Sequence, residues 1–460
     1  MPDHALVQQL QEAIGPNNVL FSLEDRVAYS YDGTFEQDLP DVAVLPESNE
    51  DVSAIIRIAA EHKSPVIPRG MASGLAAASV PFGGGIVLSL TRMNRILEID
   101  EENRTARVEA GIITADLEAA VEKLGLFYPP DPSSNEQSTI GGNIACNAGG
   151  PRCLKYGVTG DYVMGLTVVL HDGQVLQTGG KAIKNVVGYD LTALFVGSEG
   201  TLGVITEALL RLTTKPKAVR TARAEFPVLE DASRTVNAIL DAGVVPATLE
   251  MMDETAIACI EEAMELGLPL DVEAILIIET DGADEETVLR EIETVAKICQ
   301  ENGAREVKVA RTEEEREQLW RARRSVSPSL ARKAPNKLGE DITVPRSAIP
   351  EAIRRIKRIG TDHGFLIVVF GHAGDGNLHP NILFDKRDDR QWEEVQKIVG
   401  EIFRVALDLD GTLSGEHGVG TLKRPYMERA LGPLSLDVQR RIKEVLDPHG
   451  ILNPGKVLPG

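Results

Sequence analysis

Cysteine is scarce in this chain of 460 residues, and the four that occur are widely spaced: Cys146, Cys153, Cys259 and Cys299. A disulfide scaffold uses more cysteines in a shorter chain, so none is expected. No C-x-x-C pair occurs, which argues against an iron–sulfur cluster or a structural zinc site held by thiolates. We interpret Cys146 and Cys153, which lie in a glycine-rich stretch, as small packing residues.

Positive charge is also in short supply. Lys and Arg together number 48 against 70 Asp and Glu, and the net charge of -22 disfavours nucleic acid or an anionic membrane as a direct partner. No apolar run has the length that a membrane span requires. The opening residues, MPDHALVQQLQEAIG, lack the basic start and apolar core of a signal peptide. We therefore expect a cytoplasmic protein, which would associate with a membrane only through partner subunits.

The common nucleotide-binding fingerprints are missing, because neither G-x-G-x-x-G nor G-x-x-x-x-G-K-[ST] occurs. A chain of this length exceeds a single core, so two or three domains are expected. Residues 1–215 alternate short strands and helices, and residues 216–410 alternate longer helices with strands. The pattern predicts an α+β fold with these two domains and a C-terminal segment, residues 411–460, that returns to the first.

Glycine is abundant, above all between residues 131 and 203. The pairs Gly141-Gly142 and Gly149-Gly150 stand among serine and threonine hydroxyls, so that backbone N–H groups can converge on an anion. A second glycine turn, PRGMASGL at residues 68–75, adds an arginine. This composition suits a large, flat cofactor that carries a diphosphate. It equally suits a run of tight turns between short strands, and the residues alone leave both interpretations open.

Two short motifs contain three of the eight histidines. GHAGDGNLH places His372 and His379 on either side of a tight turn, and GEHG contains Glu416 and His417. A hairpin folded at that turn would bring His372 and His379 together. Two imidazoles and a carboxylate with an open position form a common catalytic set for a divalent metal. In the alternative interpretation, the two histidines form hydrogen bonds within the turn, which Asp375 caps. The presence of the second motif, GEHG, favours the metal site.

Together these motifs resemble the FAD-linked oxidases of the vanillyl-alcohol oxidase type, and among them the group of the glycolate oxidase D-subunit, D-lactate dehydrogenase and D-2-hydroxyglutarate dehydrogenase. PRGMASGL, DPSS…STIGGNIACNAGG…LKYG and GSEGTLGVIT look like the three flavin loops. GHAGDGNLHP and SGEHGVG look like the metal and catalytic motifs, and LNPGK like the terminal signature. The resemblance covers nearly the whole chain and implies a two-lobed FAD-binding domain with an α+β cap domain over the flavin ring.

The resemblance further implies that FAD is bound non-covalently, because the first loop has no histidine or cysteine to which a flavin could be tethered. The residues that it assigns to FAD binding are Pro68, Arg69, Gly70, Ser73, Gly74, Pro132, Ser133, Ser138, Gly141, Gly142, Asn143, Gly150, Gly157, Glu199, Gly200, Gly203, Ile205 and Asn453.

The implied reaction oxidises D-lactate or glycolate to the 2-oxo acid: a hydride moves from Cα to the flavin and the hydroxyl proton moves to His417. A divalent metal, zinc, manganese or iron, would lower the cost of removing that proton. Its ligands by resemblance are His372, His379 and Glu416. The family's W-x-x-R pattern places the substrate carboxylate on Arg323. Further substrate contacts would be Ser327, Lys337 and Asn377.

The chain has no iron–sulfur cluster motif, so it would pass its electrons to an iron–sulfur subunit, an electron-transferring flavoprotein or a quinone. It would act as a homodimer or in a hetero-complex. Three other functions stay open on the sequence alone: a D-2-hydroxyglutarate dehydrogenase, a non-catalytic flavin-binding subunit of a larger complex, and a metal hydrolase whose glycine loops bind phosphate. The intact GDGNLH and GEHG motifs argue against the non-catalytic subunit, and bound flavin would exclude the hydrolase.

Overall fold

Helices and strands alternate along the computed structural model, which describes residues 3–459. Numbered in chain order, its α-helices are α1 (His4–Ile14), α2 (Leu23–Ala28), α3 (Asn49–His62), α4 (Thr114–Glu122), α5 (Ile140–Cys146), α6 (Cys153–Tyr156), α7 (Leu191–Phe195), α8 (Leu229–Asp241), α9 (Glu254–Met264), α10 (Glu285–Glu301), α11 (Glu313–Leu330), α12 (Ile349–His363), α13 (Asp389–Asp408) and α14 (Met427–Leu446). Its strands are β1 (Val19–Leu20), β2 (Val42–Val44), β3 (Val66–Arg69), β4 (Ile86–Ser89), β5 (Ile96–Asp100), β6 (Thr105–Glu109), β7 (Leu126–Phe127), β8 (Val163–Val169), β9 (Val175–Gly179), β10 (Val204–Arg211), β11 (Thr213–Thr214), β12 (Ala218–Phe226), β13 (Thr248–Asp253), β14 (Ala274–Gly282), β15 (Glu306–Val309), β16 (Asn336–Gly339), β17 (Ile342–Thr343), β18 (Leu366–His372) and β19 (Asn377–Phe384). This mixture confirms the α+β class.

The chain forms two compact units. Unit 1 comprises residues 3–150, Val158–Lys215 and 416–459, and unit 2 comprises Pro151–Gly157 and Pro216–Gly415. Two short segments therefore differ from the predicted domain bounds. Pro151–Gly157 belongs to unit 2 because Lys155 and Tyr156 bond to Asp281 of β14. Residues 411–415 belong to it because Thr412 bridges to Thr343 of β17 and Gly415 bonds to Asp341.

Unit 1 contains two main sheets, as a two-lobed domain requires. Their strand orders are β1-β2-β4-β3 and β5-β6-β10-β8-β9. Helix α3 shows how the sequence specifies this packing: Ser48 caps its first turn by accepting from the Asp51 N–H at 3.1 Å. Its apolar residues recur at helical spacing and are fully buried. These residues are Val52, Ile55, Ile56 and Ala59.

Unit 2 is built on an eight-stranded sheet with the order β15-β12-β14-β13-β18-β19-β16, and β17 also pairs with β19. Helices α9 and α11 pack on one face, over Ile275, Ile277 and Phe370. Helices α8, α10 and α12 contact the opposite face. Among residues 3–459, no helix has both the length and the apolar composition that crossing a membrane would demand.

The predicted hairpin is present as β18 and β19. Its register places His372 opposite Asn377 and Phe370 opposite His379, so the two histidines are diagonal neighbours instead of a directly opposed pair. The returning strand begins at Asn377, directly after Gly376. The turn is therefore tight, and Gly376 makes it possible with a φ of 87°.

Candidate functional site

A cavity in unit 1 is lined by the three glycine-rich loops of the sequence. It has a volume of about 1320 Å³, its solvent-open part included. The loops approach one another so closely that a Cβ on Gly70 would lie 2.1 Å from the Thr139 Oγ1. Thr139 in turn caps α5 by accepting from the Gly142 N–H at 3.2 Å. The close approach of the Thr139 side chain to the Gly70 backbone thus explains the need for glycine here.

Two buried polar atoms on residues that line this cavity make no hydrogen bond with the described part of the chain. They are the Arg69 Nε and the Asn453 Oδ1. Burial lowers the pKa of Arg69, opposed only by nearby Tyr29, Asp32 and Tyr31. A buried polar atom without a partner costs about 1–3 kcal/mol, so both atoms favour a ligand that accepts from the arginine and donates to the asparagine. FAD offers both kinds of atom.

Most of the residues predicted to bind FAD line this cavity. Gly150 and Gly157 do not; Gly157 ends α6 in unit 2, with its N–H bonded to the Cys153 carbonyl. The remaining predicted residues along it are Pro68, Arg69, Gly70, Ser73, Gly74, Pro132, Ser133, Ser138, Gly141, Gly142, Asn143, Glu199, Gly200, Gly203, Ile205 and Asn453. Apolar lining such as Leu75, Leu90 and Ala110 carried no signal in the sequence, because such residues are indistinguishable from core.

His417 and Glu416 also line the cavity. The His417 Nε2 lies 3.8 Å from the Glu416 Oε1. The loop that follows is held by Glu199, whose carboxylate accepts from the N–H groups of Val419 at 2.6 Å and Gly420 at 2.8 Å. Burial raises the pKa of Glu199, and these amide bonds oppose the shift. Glu199 therefore helps position the loop after His417, a role that the sequence did not indicate.

In unit 2, His372 and His379 lie side by side, and both are buried. Their Nε2 atoms are 3.5 Å apart. Two nitrogens bound tetrahedrally to one zinc ion at about 2.0–2.1 Å lie about 3.3–3.4 Å apart, so this pair fits a shared metal ion. Glu416 follows Gly415 directly in the chain, and the Gly415 N–H donates to Asp341 of unit 2 at 3.0 Å.

Glu250 is a site residue that the sequence analysis missed. It lies on β13 directly opposite His372 and is completely buried. Its Oε1 accepts from the His372 Nδ1, and its Oε2 accepts from the Arg323 Nε at 2.7 Å. Burial alone would raise the pKa of Glu250, but the interactions with His372 and Arg323 outweigh it and hold the pKa below its usual value. A lone glutamate in the buried strand TLEMMD was the available signal.

Three of the predicted substrate contacts come together along α11. Arg323 packs its guanidinium over the Phe370 ring, 4.7 Å from the centroid. Ser327 lies one turn further along the same helix, and its Oγ accepts from the Lys337 Nζ. Burial lowers the pKa of Lys337. Of these three residues, Arg323 is the one linked to the histidine pair, because it shares Glu250 with His372, and its positive charge suits an anionic substrate.

Hydrogen bonds to neighbouring residues hold the side chain of Asn377 in one orientation. Its Nδ2 donates to the Asp341 Oδ1 at 2.6 Å and to the Ile342 carbonyl at 2.9 Å. Asp341 also accepts from the Ser414 Oγ at 2.5 Å. The amide donors of Asn377 are thus committed to Asp341 and β17, and only its carbonyl oxygen is left to serve the substrate contact that the sequence predicts.

Comparison with known proteins decides the family. A model described as FAD linked oxidases, C-terminal domain, matches residues 215–457, and an FAD binding domain matches residues 40–179. The chain is 48% identical over 451 residues to the glycolate oxidase subunit GlcD of Bacillus subtilis, covering 98% of this chain and 96% of that protein. This chain belongs to the FAD-linked oxidase family. It is therefore an FAD-linked oxidoreductase, and the metal hydrolase is set aside.

Other relatives of this FAD-linked oxidase carry related names. It is 35% identical over 461 residues to a D-lactate dehydrogenase of Anaerostipes hadrus, covering 98% of this chain and 97% of that one. Among solved structures, p-cresol methylhydroxylase aligns with a TM-score of 0.82 at 18% identity, over 98% of this chain and 96% of that one. That likeness confirms the predicted two-domain FAD-binding fold.

Proposed function

We propose that this FAD-linked oxidase oxidises a small D-2-hydroxy acid, glycolate or D-lactate, to the 2-oxo acid. The observation that carries the proposal is the buried pair of His372 and His379, 3.5 Å apart at their Nε2 atoms and joined through Glu250 to Arg323. The names of the relatives, glycolate oxidase subunit and D-lactate dehydrogenase, support the same substrate class.

The proposal assigns a role to each group. Arg323 binds the substrate carboxylate, because its Nε is engaged by Glu250 while its terminal amino groups make no hydrogen bond within residues 3–459. A charge-assisted bond there contributes about 1.5–3 kcal/mol. His417 accepts the hydroxyl proton on its imidazole. When bound, FAD takes up the two electrons as a hydride equivalent, and a divalent ion lowers the pKa of the hydroxyl.

The metal would be zinc, manganese or iron, held by His372, His379 and Glu416. An imidazole alone is a weak base for an aliphatic hydroxyl: a difference of about nine pKa units corresponds to about 12 kcal/mol. The two ring nitrogens provide ligands that these ions prefer. Ser327, Lys337 and the carbonyl oxygen of Asn377 would add polar contacts to the substrate.

Electrons must leave the reduced cofactor, and among residues 3–459 no group of cysteines is placed to hold an iron–sulfur cluster. We propose transfer to an iron–sulfur subunit, an electron-transferring flavoprotein or a quinone. The word "subunit" in the name of the GlcD relative favours assembly with a partner protein. A D-2-hydroxyglutarate dehydrogenase of Stutzerimonas stutzeri, 34% identical, keeps that longer substrate as the second candidate.

The test is anaerobic reduction of the bound flavin. The purified holoenzyme is mixed in turn with glycolate, D-lactate, D-2-hydroxyglutarate and L-lactate, and bleaching of the flavin absorbance is followed. Rapid bleaching by glycolate or D-lactate supports the proposal, and faster bleaching by D-2-hydroxyglutarate selects the second candidate. No bleaching by any of the four would overturn both.

A further inference from the structure

Glu250 is a charged side chain in a fully buried strand. Every residue of β13 is buried, and Glu250 has no exposed surface. Burying a carboxylate costs several kcal/mol unless both of its oxygens find strong partners. A hydrophobic residue would fill the same position at no such cost, so packing alone gives no reason for a glutamate here.

The two carboxylate oxygens go to two different groups of the proposed site. The register of β13 and β18 places Glu250 directly opposite His372, and the Oε1 meets the Nδ1 of that ring. The Oε2 accepts from the Arg323 Nε at 2.7 Å. Because Arg323 belongs to α11, one carboxylate joins the sheet that carries His372 to the helix packed on it.

Each of the two hydrogen bonds that Glu250 accepts fixes a feature that the proposed reaction requires. A carboxylate only accepts, so the proton of a neutral His372 stays on Nδ1 and the lone pair stays on Nε2, which faces the Nε2 of His379. On the arginine, the bond to Nε fixes the orientation of the planar guanidinium, and its terminal amino groups make no hydrogen bond within residues 3–459. Glu250 therefore fixes both the tautomer of the His372 ring and the orientation of the Arg323 guanidinium.

We propose that Glu250 is the positioning residue of this site, which holds the His372 imidazole in the tautomer that ligates metal and at the same time orients Arg323 for the substrate carboxylate. The inference rests on the proposed function. It predicts that one substitution weakens metal binding and substrate binding together, since the two groups share one support.

Glu279 provides a matched control. It is a buried glutamate on the neighbouring strand β14 and also bonds to an arginine of α11, at 3.0 Å from the Arg316 Nε, and to the Trp320 Nε1 at 2.9 Å. It touches neither His372 nor Arg323. Removing its charge therefore tests what the loss of any buried arginine–glutamate pair on this sheet does to the protein.

The experiment compares Glu250→Gln and Glu279→Gln with the wild-type holoenzyme. A glutamine keeps the volume, but its amide nitrogen would face a donor, so one of the two bonds is lost. In E250Q we expect Zn²⁺ and Mn²⁺ affinity, measured by chelator competition, to fall about 10–100-fold and KM to rise, with flavin content unchanged. E279Q should keep wild-type metal affinity and KM.

The outcomes separate the two proposals. If the wild-type protein binds neither Zn²⁺ nor Mn²⁺, the proposed metal centre fails. If it binds them and E250Q binds them equally well at an unchanged KM, the role of Glu250 is refuted while the function stands. Should E250Q not fold, ¹⁵N NMR of the histidines in the wild-type protein decides, with His372 assigned by a His372→Gln variant. A proton on the His372 Nε2 would overturn the inference, and one on Nδ1 supports it.

Discussion

At the scale of single residues, replacement of His372 is the most direct test of the proposed metal site. Replacing it with alanine removes a proposed metal ligand in unit 2 and changes none of the residues that line the cavity of unit 1. We expect turnover to fall by at least about a hundredfold while FAD stays bound. Steady-state kinetics and the flavin absorbance of the purified variant measure the two effects.

His363 supplies the control for that substitution. It also lies in unit 2, on α12, where its Nδ1 is 2.5 Å from a Glu394 carboxylate oxygen. His363→Ala should therefore leave kcat and metal content unchanged. Wild-type turnover in His372→Ala would refute the metal role of His372.

The thiol of Cys146 gives a second test at this scale. Cys146 lines the cavity, and burial raises its pKa to about 12, helped by the charge of Glu199. Because the thiolate is the reactive form, a thiol with this pKa should be alkylated on the order of a thousandfold more slowly at pH 8 than one with the ordinary value near 9. Timed iodoacetamide labelling with mass spectrometry measures the rate. Labelling as fast as free glutathione would contradict the expected pKa.

At the scale of elements, the hairpin of β18 and β19 depends on its turn. Gly376 has a φ of 87°, and a Cβ there would lie 2.0 Å from the Val344 carbonyl oxygen. Gly376→Ala should lower the free energy of unfolding by more than about 1–2 kcal/mol, the cost of a left-handed alanine alone. Turnover should fall as well, since the turn sets the register of both histidines. Urea unfolding and activity measure the change.

Gly364 separates backbone conformation from steric clash. Its φ is 76°, close to that of Gly376, but no atom lies within 4 Å of a Cβ built there. Gly364→Ala should therefore show only the conformational cost and keep wild-type turnover. Equal losses in both variants would mean that the clash with Val344 is relieved elsewhere.

The sequence predicted elements best where one periodicity extends over several turns. Helix α3 has a capping serine and four apolar residues at helical spacing, a local pattern that predicts a helix at this place in the chain. Helix α5 was missed, because Gly141 and Gly142 have poor helix propensity and the helix is stabilised by the Thr139 cap and by contact with Ala110. Such tertiary contacts leave no local pattern.

In the candidate site, too, the sequence predicts contacts between residues that are near in the chain and not between residues that are far apart in it. His372 and His379 could be paired from the turn between them, because a hairpin brings residues on either side of it together. Glu250 is 122 residues away from His372 in the chain and meets it only through the pairing of β13 with β18. Only the sheet order brings them together, and no local pattern in the sequence predicts that order.

The C-terminal tail of unit 1 introduces a pH dependence. The Lys456 Nζ donates to the Val80 carbonyl at 2.8 Å, and burial lowers the pKa of Lys456 to about 8. Between pH 8 and the ordinary value near 10.4 the unfolded chain binds more protons, so stability rises with pH in this window, by at most about 1.4 kcal/mol per unit. Denaturant unfolding of the apoprotein between pH 7.5 and 9.5 should show this slope. Lys456→Met should lack it, and an identical slope in the variant would count against the shifted pKa.

For the whole molecule, the division into two units assigns the cavity proposed for FAD and the tryptophan side chains to different units. The predicted FAD loops that line the cavity belong to unit 1, whereas both tryptophans, Trp320 and Trp392, belong to unit 2. Flavin release therefore reports on unit 1, and tryptophan fluorescence reports on unit 2. The two signals can be followed in one thermal scan without labels.

This separation allows the cofactor assignment to be tested by mass action. A ligand that binds only the folded state stabilises it by about 2.7 kcal/mol at a hundredfold excess over its dissociation constant. Excess FAD added to the apoprotein should therefore raise the unfolding temperature of unit 1, and AMP, which lacks the flavin and the diphosphate, should raise it far less. Arg69→Met removes the buried Nε that has no partner within residues 3–459, and it should reduce the shift that FAD produces. A shift that is the same in this variant would mean that Arg69 does not contribute to FAD binding, because a weaker affinity gives a smaller stabilisation at the same FAD concentration.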